Sequence, residues 1–152
     1  MPKTHPLQET KQGYNVDFVI HSEAEMLQVA QKLAPLFHAG DVVALYGTLG
    51  VGKTTFVRAL IHTLLDSSVD VPSPTFTLLQ TYDTPHYPVY HFDFYRLKTP
   101  EEAYEIGIED AFGSGLSLIE WPEKLGSILP TKHISITFNM IPEGRRIHVE
   151  GL

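Results

Sequence analysis

The segment Gly47–Phe56, GTLGVGKTTF, contains residue types at a spacing that binds phosphate groups. The pattern G-x-x-x-x-G-K-[ST] is met by Gly47, Gly52, Lys53 and Thr54. Glycines let the backbone curl so that successive N–H groups face phosphate oxygens, and a helix N-terminus adds about half a positive charge there. Lys53 supplies a mobile charge for the β- and γ-phosphates, and the Thr54 hydroxyl suits Mg²⁺. The segment is predicted to be a phosphate-binding loop.

The elements expected on either side of this loop support that prediction. Val42–Tyr46 is a short, continuous apolar run, as a strand covered on both faces would be. A helix is expected to begin near Lys53, with Phe56, Leu60 and Leu64 on one face. The alternative is a glycine-rich turn between strand and helix whose lysine is merely solvated. The flanking strand and helix favour the phosphate loop.

A phosphate loop needs an acidic ligand for its metal ion. The best candidate is Glu120, which ends the apolar run LSLIE at 116–120, because open α/β sheets place their ligand crevice at the carboxyl ends of strands. The alternative is a strand-terminal glutamate paired with a surface lysine. The next residue, Trp121, is by residue type more often a core or interface residue than a nucleotide contact.

A second acidic candidate, Asp93, lies in the strand-like segment VYHFDFYRL, where it shares one face with His91 and Tyr95. Three roles remain open for Asp93: positioning the attacking water, holding a metal-bound water, or pairing with Arg96 or His91. We interpret His91 as a structural histidine. Arg96 is interpreted as an ion-pair residue rather than as a source of transition-state charge.

Upstream, in the segment PSPTFTLLQTYD, two prolines precede a predicted strand at 75–82. This strand is expected to form an antiparallel hairpin with the next strand. Thr75 and Thr77 flank Phe76 just after this rigid turn, an arrangement that suits a loop sensing the γ-phosphate. Exposed strand threonines are the alternative interpretation.

The whole-chain numbers limit the class of protein. With 152 residues and 43% hydrophobic content, we expect one domain over 14–152 and a flexible N-terminal tail over 1–13. Ser22 and Glu25 form a capping-box pattern that predicts a helix start. The chain contains no cysteine, signal peptide or membrane-length apolar run, so we expect a cytoplasmic protein that does not enter a membrane.

The charge balance bears on nucleic-acid binding. The net charge is −7, whereas a protein that binds a nucleic-acid phosphate backbone directly is typically positively charged. If a nucleic acid is involved, we expect another protein to hold it. The fold class expected from these elements is α/β: a three-layer fold of the P-loop NTPase type, with a mostly parallel central sheet, an antiparallel hairpin and helices on both faces.

The ordered segments YGTLGVGKTTF, SPTFTL, HFDFYRL and LIEWPEK resemble the TsaE (YjeE) family, the ATPase of bacterial tRNA threonylcarbamoyladenosine biosynthesis, over about residues 20–150. The resemblance implies ATP and Mg²⁺ as cofactors, with Thr54 and Glu120 holding the metal and with Lys53, Asp93 and Glu120 serving catalysis. It also implies a switch-like segment at Thr75, Phe76 and Thr77. The implied nucleotide-binding residues are Glu23, Gly47, Gly50, Val51, Gly52, Lys53, Thr54, Thr55 and Trp121.

The family works with two partners, TsaB and TsaD, of which TsaD transfers the threonylcarbamoyl group to adenosine in the tRNA anticodon loop. The resemblance therefore implies a Mg-dependent ATPase, slow alone and stimulated by its partners, that meets tRNA only through them. Two other functions remain open: a small-molecule P-loop kinase, and a nucleotide-sensing adaptor with little turnover. The chain has no guanine-reading Asn-Lys-x-Asp pattern, which favours adenine.

Overall fold

The structure is a computed structural model that describes residues 3–4, 8–10 and 13–152. The strands in chain order are β1 (Lys3–Thr4), β2 (Gln8–Thr10), β3 (Gly13–Ile20), β4 (Val42–Tyr46), β5 (Leu79–Asp83), β6 (Pro88–Asp93), β7 (Leu116–Glu120), β8 (Ile134–Ile141) and β9 (Gly144–Glu150). The α-helices are α1 (Glu23–Leu33), α2 (Lys53–Leu65), α3 (Glu102–Glu105) and α4 (Ile108–Ser114). Two further segments form 3-10 helices, Ala34–Leu36 and Pro122–Ile128.

The strands form one sheet in the order β1-β3-β9-β8-β4-β7-β6-β5, with β2 paired to β3 beside this path. Strands β8, β4, β7 and β6 are parallel neighbours. On one side β5 pairs antiparallel with β6, which is the predicted hairpin. On the other side β9 and β3 add antiparallel pairings. Parallel pairing is therefore confined to the centre of the sheet, and the antiparallel part is larger than the sequence indicated.

Helices cover both faces of the sheet, as predicted. On one face, Val29 of α1 and Leu60 of α2 belong to the same core cluster as Leu118 of β7. On the opposite face, Ile108 of α4 clusters with Ile119 of β7. Successive residues of β7 thus enter different cores because side chains alternate along a strand. This double burial explains why the run before Glu120 is apolar without alternation.

Two short strands lie within residues 1–13, the segment for which the sequence predicted a flexible tail. Both β1 and β2 pair antiparallel with β3. The sequence here has no apolar alternation, so these pairings depend on the backbone edge that β3 offers. The other residues for which a flexible tail was predicted lie outside the part of the chain that the structure describes.

Helix α1 begins at the predicted capping signal. The Ser22 hydroxyl accepts a hydrogen bond from the Glu25 N–H at 3.2 Å, and Glu25 Oε1 accepts one from the His21 N–H at 2.9 Å. The second bond goes to the residue before the cap, one position earlier than in the usual capping box. The buried face of α1 contains Met26, Val29, Ala30 and Leu33. The cap holds the first turn of α1, and with it Glu23, at a fixed position beside the sheet.

The strand predicted at 75–82 was wrong at its start, because residues 75–78 form a turn and β5 begins at Leu79. The Leu78 N–H donates to the carbonyl oxygen of Pro74 at 2.7 Å, and Leu78 has a φ of 66°. A left-handed conformation is uncommon for leucine and interrupts an extended strand. The threonines of this segment therefore lie in a turn.

None of the helices in the described part of the chain combines the length and apolar character needed to cross a membrane.

Candidate nucleotide-binding site

The predicted phosphate loop connects the end of β4 to the start of α2. Gly47 has a φ of 147°, and a Cβ there would lie 2.8 Å from Val51 Cγ1 and 2.9 Å from the carbonyl oxygen of Phe138. Gly52, the N-cap of α2, has a φ of 118°. Both positions need glycine, because a side chain would meet a steric clash at Gly47 and backbone strain at either. The loop consequently curls over the N-terminus of a 13-residue helix, where backbone N–H groups and the helix dipole favour an anion.

Lys53 is the first residue of α2 and is only 4% exposed. Its Nζ donates to the carbonyl oxygen of Gly47 at 2.7 Å and lies 3.7 Å from the centroid of the Trp121 ring. Burial lowers the pKa of Lys53, although the charges of Glu120, Glu123 and Asp93 oppose this shift. The alternative of a solvated lysine is wrong, since the ammonium is held inside the loop.

Glu120 and Thr54 are adjacent, as the sequence predicted. The Thr54 hydroxyl lies 3.1 Å from Oε1 and 3.2 Å from Oε2 of Glu120, whose side chain is 4% exposed. The parallel pairing of β4 with β7 brings the carboxyl ends of both strands to one edge of the sheet. Glu120 does not pair with a surface lysine, so that alternative is wrong.

Sequence reasoning missed the contact of His91 with this carboxylate. His91 is 0% exposed, and its Nε2 lies 2.6 Å from Glu120 Oε2. The contact runs diagonally across the parallel pair β6 and β7, in which His91 is level with Leu118 and Asp93 with Glu120. The only signal in the sequence was that His91 and Asp93 share a strand face.

Asp93 does not pair with Arg96 or His91, the two structural partners considered for it. Its Oδ2 accepts a hydrogen bond from the Thr75 hydroxyl at 3.2 Å, and its Oδ1 accepts one from the Tyr95 N–H at 2.9 Å. The side chain is 4% exposed. Asp93 therefore ties the segment at Thr75 to the carboxyl end of β6, directly beside Glu120.

Arg96 contacts an aromatic ring instead of forming the predicted ion pair. Its guanidinium carbon lies 4.4 Å from the centroid of Phe76, in cation–π geometry. Phe76 is 80% exposed, and the neighbouring Thr77 hydroxyl accepts a hydrogen bond from Gln80. Of the predicted switch-like residues, only Thr75 thus reaches the carboxylates, while Phe76 is covered on one face by Arg96.

Most of the predicted site residues line a cleft of about 170 Å³, which we call the phosphate cleft. It is lined by Leu49, Gly50, Gly52, Lys53, Thr54, Thr55, Ser73, Thr75, Asp93, Glu120 and Trp121. At its wall, Trp121 has a φ of 58°, a left-handed conformation that is strained for a bulky residue and typical of functional sites. The structure therefore brings both carboxylates, the lysine and the loop hydroxyls to one small space.

A larger cavity of about 340 Å³ lies on the other side of the loop, and we call it the α1 cavity. Its lining includes the predicted residues Glu23 and Val51 and shares Gly50, Gly52 and Thr55 with the phosphate cleft; other lining residues are Met26, Gly144 and Arg145. Arg145 Nε donates to the carbonyl oxygen of Val51 at 2.9 Å. The two residues are 94 positions apart in the sequence, so no local pattern indicates this contact.

The oxygen donors beside the loop fit a nucleotide-bound Mg²⁺ better than a free-standing metal site. Within residues 3–4, 8–10 and 13–152, the side chains of His, Cys, Asp and Glu form no group of three or more that could hold a metal ion. Mg²⁺ in nucleotide sites is commonly held by one or two protein oxygens together with phosphates. The buried carboxylate of Glu120 and the hydroxyl of Thr54 supply such a pair.

Comparisons with known proteins agree with this geometry. The family model described as "Threonylcarbamoyl adenosine biosynthesis protein TsaE" matches residues 20–147. A Rickettsia bellii protein called tRNA threonylcarbamoyladenosine biosynthesis protein TsaE is 42% identical over 90% of this chain and 94% of its own length. The Haemophilus influenzae protein of the same name is 36% identical over 86% of this chain and 85% of its own.

A solved structure supports the fold. The crystal structure of Bacillus subtilis YdiB aligns with a TM-score of 0.72 and 27% identity, over 98% of this chain and 86% of that one. The residues matched by the family model include the whole phosphate loop, Asp93 and Glu120. The resemblance drawn from the sequence is confirmed: the chain belongs to the TsaE family of threonylcarbamoyl adenosine biosynthesis proteins.

Proposed function

We propose that this chain binds and hydrolyses ATP with Mg²⁺ and thereby drives threonylcarbamoyl transfer to tRNA by a partner enzyme. The observation that carries the proposal is the meeting of Glu120, Thr54 and Lys53 at the phosphate loop, where a buried carboxylate, a hydroxyl and an ammonium converge. A structural loop has no need for a lysine buried against its own carbonyl oxygen or for a buried carboxylate at its mouth. Phosphate binding accounts for all of these features.

The arrangement of the two cavities suits a nucleoside triphosphate. The phosphate cleft and the α1 cavity share Gly50, Gly52 and Thr55, so one ligand can extend from one to the other around the loop. Phosphates belong in the cleft, where the loop N–H groups and Lys53 neutralise their charge. The base and ribose belong in the α1 cavity, where Glu23 and Arg145 offer polar contacts. We infer adenine as the base.

Thr54 and Glu120 are the residues that would hold Mg²⁺. When bound there, the ion would polarise the phosphate oxygens as a Lewis acid and offset the charge that develops on them. Lys53, whose Nζ now contacts the carbonyl oxygen of Gly47, would turn to the β- and γ-phosphates. Its position at the helix N-terminus adds to the positive potential that the phosphates experience.

Asp93 is the acidic group available to orient the attacking water. It lies beside Glu120 across the β6–β7 pair, and both of its oxygens already accept hydrogen bonds from protein groups. Its bond with Thr75 links it to the segment expected to respond to the γ-phosphate. We propose that Asp93 and Thr75 form a unit that senses whether the γ-phosphate is present.

The proposed role in tRNA modification rests on relatives with that name and on the charge of the chain. The net charge of −7 disfavours direct contact with a nucleic-acid backbone. We propose that TsaB and TsaD are the partners and that the tRNA is held by them. The chain then supplies the free energy of ATP hydrolysis rather than the transferase chemistry.

The test is release of phosphate from ATP with Mg²⁺, measured alone, with candidate small-molecule acceptors, and with the TsaB–TsaD pair, together with threonylcarbamoyladenosine formation in tRNA. We expect free phosphate in every mixture and modified tRNA only with the pair and this chain present. Transfer of the γ-phosphate to a small molecule would instead establish a kinase. Nucleotide binding without turnover in any mixture would establish a sensing adaptor.

A further inference from the structure

We propose that His91 is a positioning residue that fixes the carboxylate of Glu120 for metal binding, an inference that rests on the proposed function. The two side chains meet at 2.6 Å between His91 Nε2 and Glu120 Oε2, and neither is more than 4% exposed. An ionised carboxylate can only accept hydrogen bonds, so Nε2 carries the hydrogen and donates it. The contact is therefore a charge-assisted hydrogen bond in a buried setting.

The Thr54 hydroxyl alone does not select one orientation of the Glu120 carboxylate. Its oxygen is nearly equidistant from the two carboxylate oxygens, at 3.1 Å and 3.2 Å, and a hydroxyl has one hydrogen to donate. The terminal torsion of a glutamate side chain is broad and roughly two-fold. His91 contacts only Oε2. This contact narrows the range of that torsion, because rotation of the carboxylate would lengthen the bond to Nε2, and it leaves Oε1 without a contact to His91.

The sheet holds His91 rigidly enough for such a role. It lies in β6, which pairs with β5 on one side and with β7, the strand that bears Glu120, on the other. Its neighbour on the same strand face, Val89, is 0% exposed and belongs to the core under α2. An imidazole in this apolar setting costs free energy of desolvation that an aliphatic side chain would not, which argues for a function beyond packing.

A purely structural histidine and a positioning histidine make different predictions. Removal of a structural contact lowers the melting temperature and leaves the magnesium dependence unchanged. Removal of a positioning contact weakens the effect of Mg²⁺ on nucleotide binding, because partners that orient a ligating carboxylate typically contribute about 10- to 100-fold to metal affinity. Nucleotide affinity without metal should then stay close to that of the parent protein.

The matched variants are His91→Gln, which keeps an N–H donor near the position of Nε2, and His91→Met, which has similar length and no donor. Trp121, the single tryptophan, reports ATP binding by fluorescence in EDTA and in Mg²⁺. We expect His91→Met to need at least about tenfold more Mg²⁺ for half-maximal tightening of ATP binding and for half-maximal hydrolysis. His91→Gln should retain most of the parent response, and both variants should match the parent in EDTA.

Equal magnesium dependence of the parent and His91→Met would overturn the positioning role while leaving the proposed function intact. If ATP binding and phosphate release by the parent protein did not depend on Mg²⁺, the proposed function itself would be overturned. If His91→Met does not fold, ¹⁵N-histidine-labelled parent protein gives the answer. At saturating ATP, Mg²⁺ should shift the Nε2–H resonance of His91 and not the ring resonances of the exposed His86. An unmoved His91 resonance would also overturn the inference.

Discussion

Lys53 Nζ lies 3.7 Å from the centroid of the Trp121 ring while donating to the carbonyl oxygen of Gly47 at 2.7 Å. The ammonium group is thus held between a loop carbonyl and an aromatic face, both of which stabilise its charge. Phosphate oxygens that enter the cleft would compete for the same ammonium. Because Trp121 is the single tryptophan of the chain, this competition should change its fluorescence.

We expect Lys53→Ala to bind ATP with Mg²⁺ roughly 10- to 100-fold more weakly than the parent protein. Hydrogen bonds to charged groups contribute about 1.5–3 kcal/mol, and each 1.4 kcal/mol corresponds to a factor of ten. Without Lys53 the phosphates would meet only backbone dipoles. Titration calorimetry measures the affinity, and Lys132→Ala, which removes an exposed lysine, is the matched control. Unchanged affinity of Lys53→Ala would remove Lys53 from phosphate binding.

Glu120→Gln should reduce ATP hydrolysis much more than it reduces ATP binding in EDTA. The substitution keeps the shape of the side chain but removes the anionic ligand, and a catalytic metal contributes several kcal/mol of transition-state stabilisation. A fall of about 100-fold or more in turnover follows. Steady-state phosphate release measures turnover, with Glu109→Gln at an exposed position as the control. Hydrolysis at the parent rate would make Asp93 the leading metal ligand.

Asp93→Asn and Thr75→Val should reduce turnover in a non-additive way. The two side chains share one hydrogen bond of 3.2 Å, and Asp93 also accepts the Tyr95 N–H. Groups that act through one contact typically show a coupling of about 0.5–3 kcal/mol in a double-mutant cycle. The cycle is measured on turnover at saturating ATP and Mg²⁺. Fully additive losses would mean that Asp93 acts without the Thr75 segment.

The phosphate loop could be predicted because its ligands are contiguous. Gly47 to Thr54 form one local pattern, and the apolar run of β4 before it is a local signal as well. Glu120 lies about 66 residues from Thr54. Their proximity could still be predicted without knowledge of the strand register, because ligands of open α/β sheets bind at the carboxyl ends of the strands.

The contacts of His91 and Arg145 could not be predicted in this way. His91 reaches Glu120 only because β6 and β7 pair so that His91 is level with Leu118, and register between two parallel buried strands leaves little trace in their apolar sequences. Arg145 of β9 donates a hydrogen bond to Val51 of the phosphate loop, and these two residues are far apart in the sequence. The turn at Leu78 was not predicted, because a left-handed backbone conformation is uncommon for leucine.

The stability of the β3–β9 pair should depend on pH through Asp17 and His148. Burial disfavours the charged imidazole, but hydrogen bonds from His148 to Asp17 at 2.6 Å and Glu150 at 2.9 Å outweigh it, and the pKa of His148 is raised. Burial also disfavours the ionised form of Asp17. Hydrogen bonds from His148 and Arg146 outweigh this effect, and the pKa of Asp17 is lowered.

The sign of the effect follows from these two shifts. The stabilisation from His148 is fully present below its unfolded pKa of about 6.5 and is lost as pH rises through the raised folded pKa. The stabilisation from Asp17 is present above its unfolded pKa of about 3.8 and is lost as pH falls through the lowered folded pKa. Both contributions are complete between these unfolded values.

We therefore expect His148→Gln to lower the melting temperature at pH 5.5 more than at pH 9. Partly exposed ion pairs contribute about 1 kcal/mol or less, which corresponds to roughly 2–4 °C in a chain of this size. Calorimetric melts at the two pH values measure the difference, with His86→Gln at an exposed position as the control. An equal loss at both pH values would mean that His148 stabilises the sheet without its charge.

The last prediction is that the chain alone hydrolyses ATP slowly and that the TsaB–TsaD pair accelerates it. Among the described residues, the phosphate cleft is lined by a single cationic side chain, Lys53. Arg96 lies over Phe76 instead of lining the cleft. A cation supplied by a partner increases turnover by ~10³ to 10⁵ in GTPases that lack their own, so we expect an increase of at least about tenfold.

The surface beside the cleft offers a control for partner docking. Met140 is 61% exposed and lines a surface depression together with Gly47, Thr48, Leu49 and Trp121. The control residue is Leu36, which is 41% exposed and precedes the amino end of β4, whereas the phosphate loop follows the carboxyl end of that strand. Exposed apolar side chains next to the phosphate cleft suit a protein contact. Met140→Asp should lower the response to the pair without changing the rate of the chain alone, and Leu36→Asp should change neither. Fast turnover by the lone chain, or no response to the pair, would contradict a site completed by its partners.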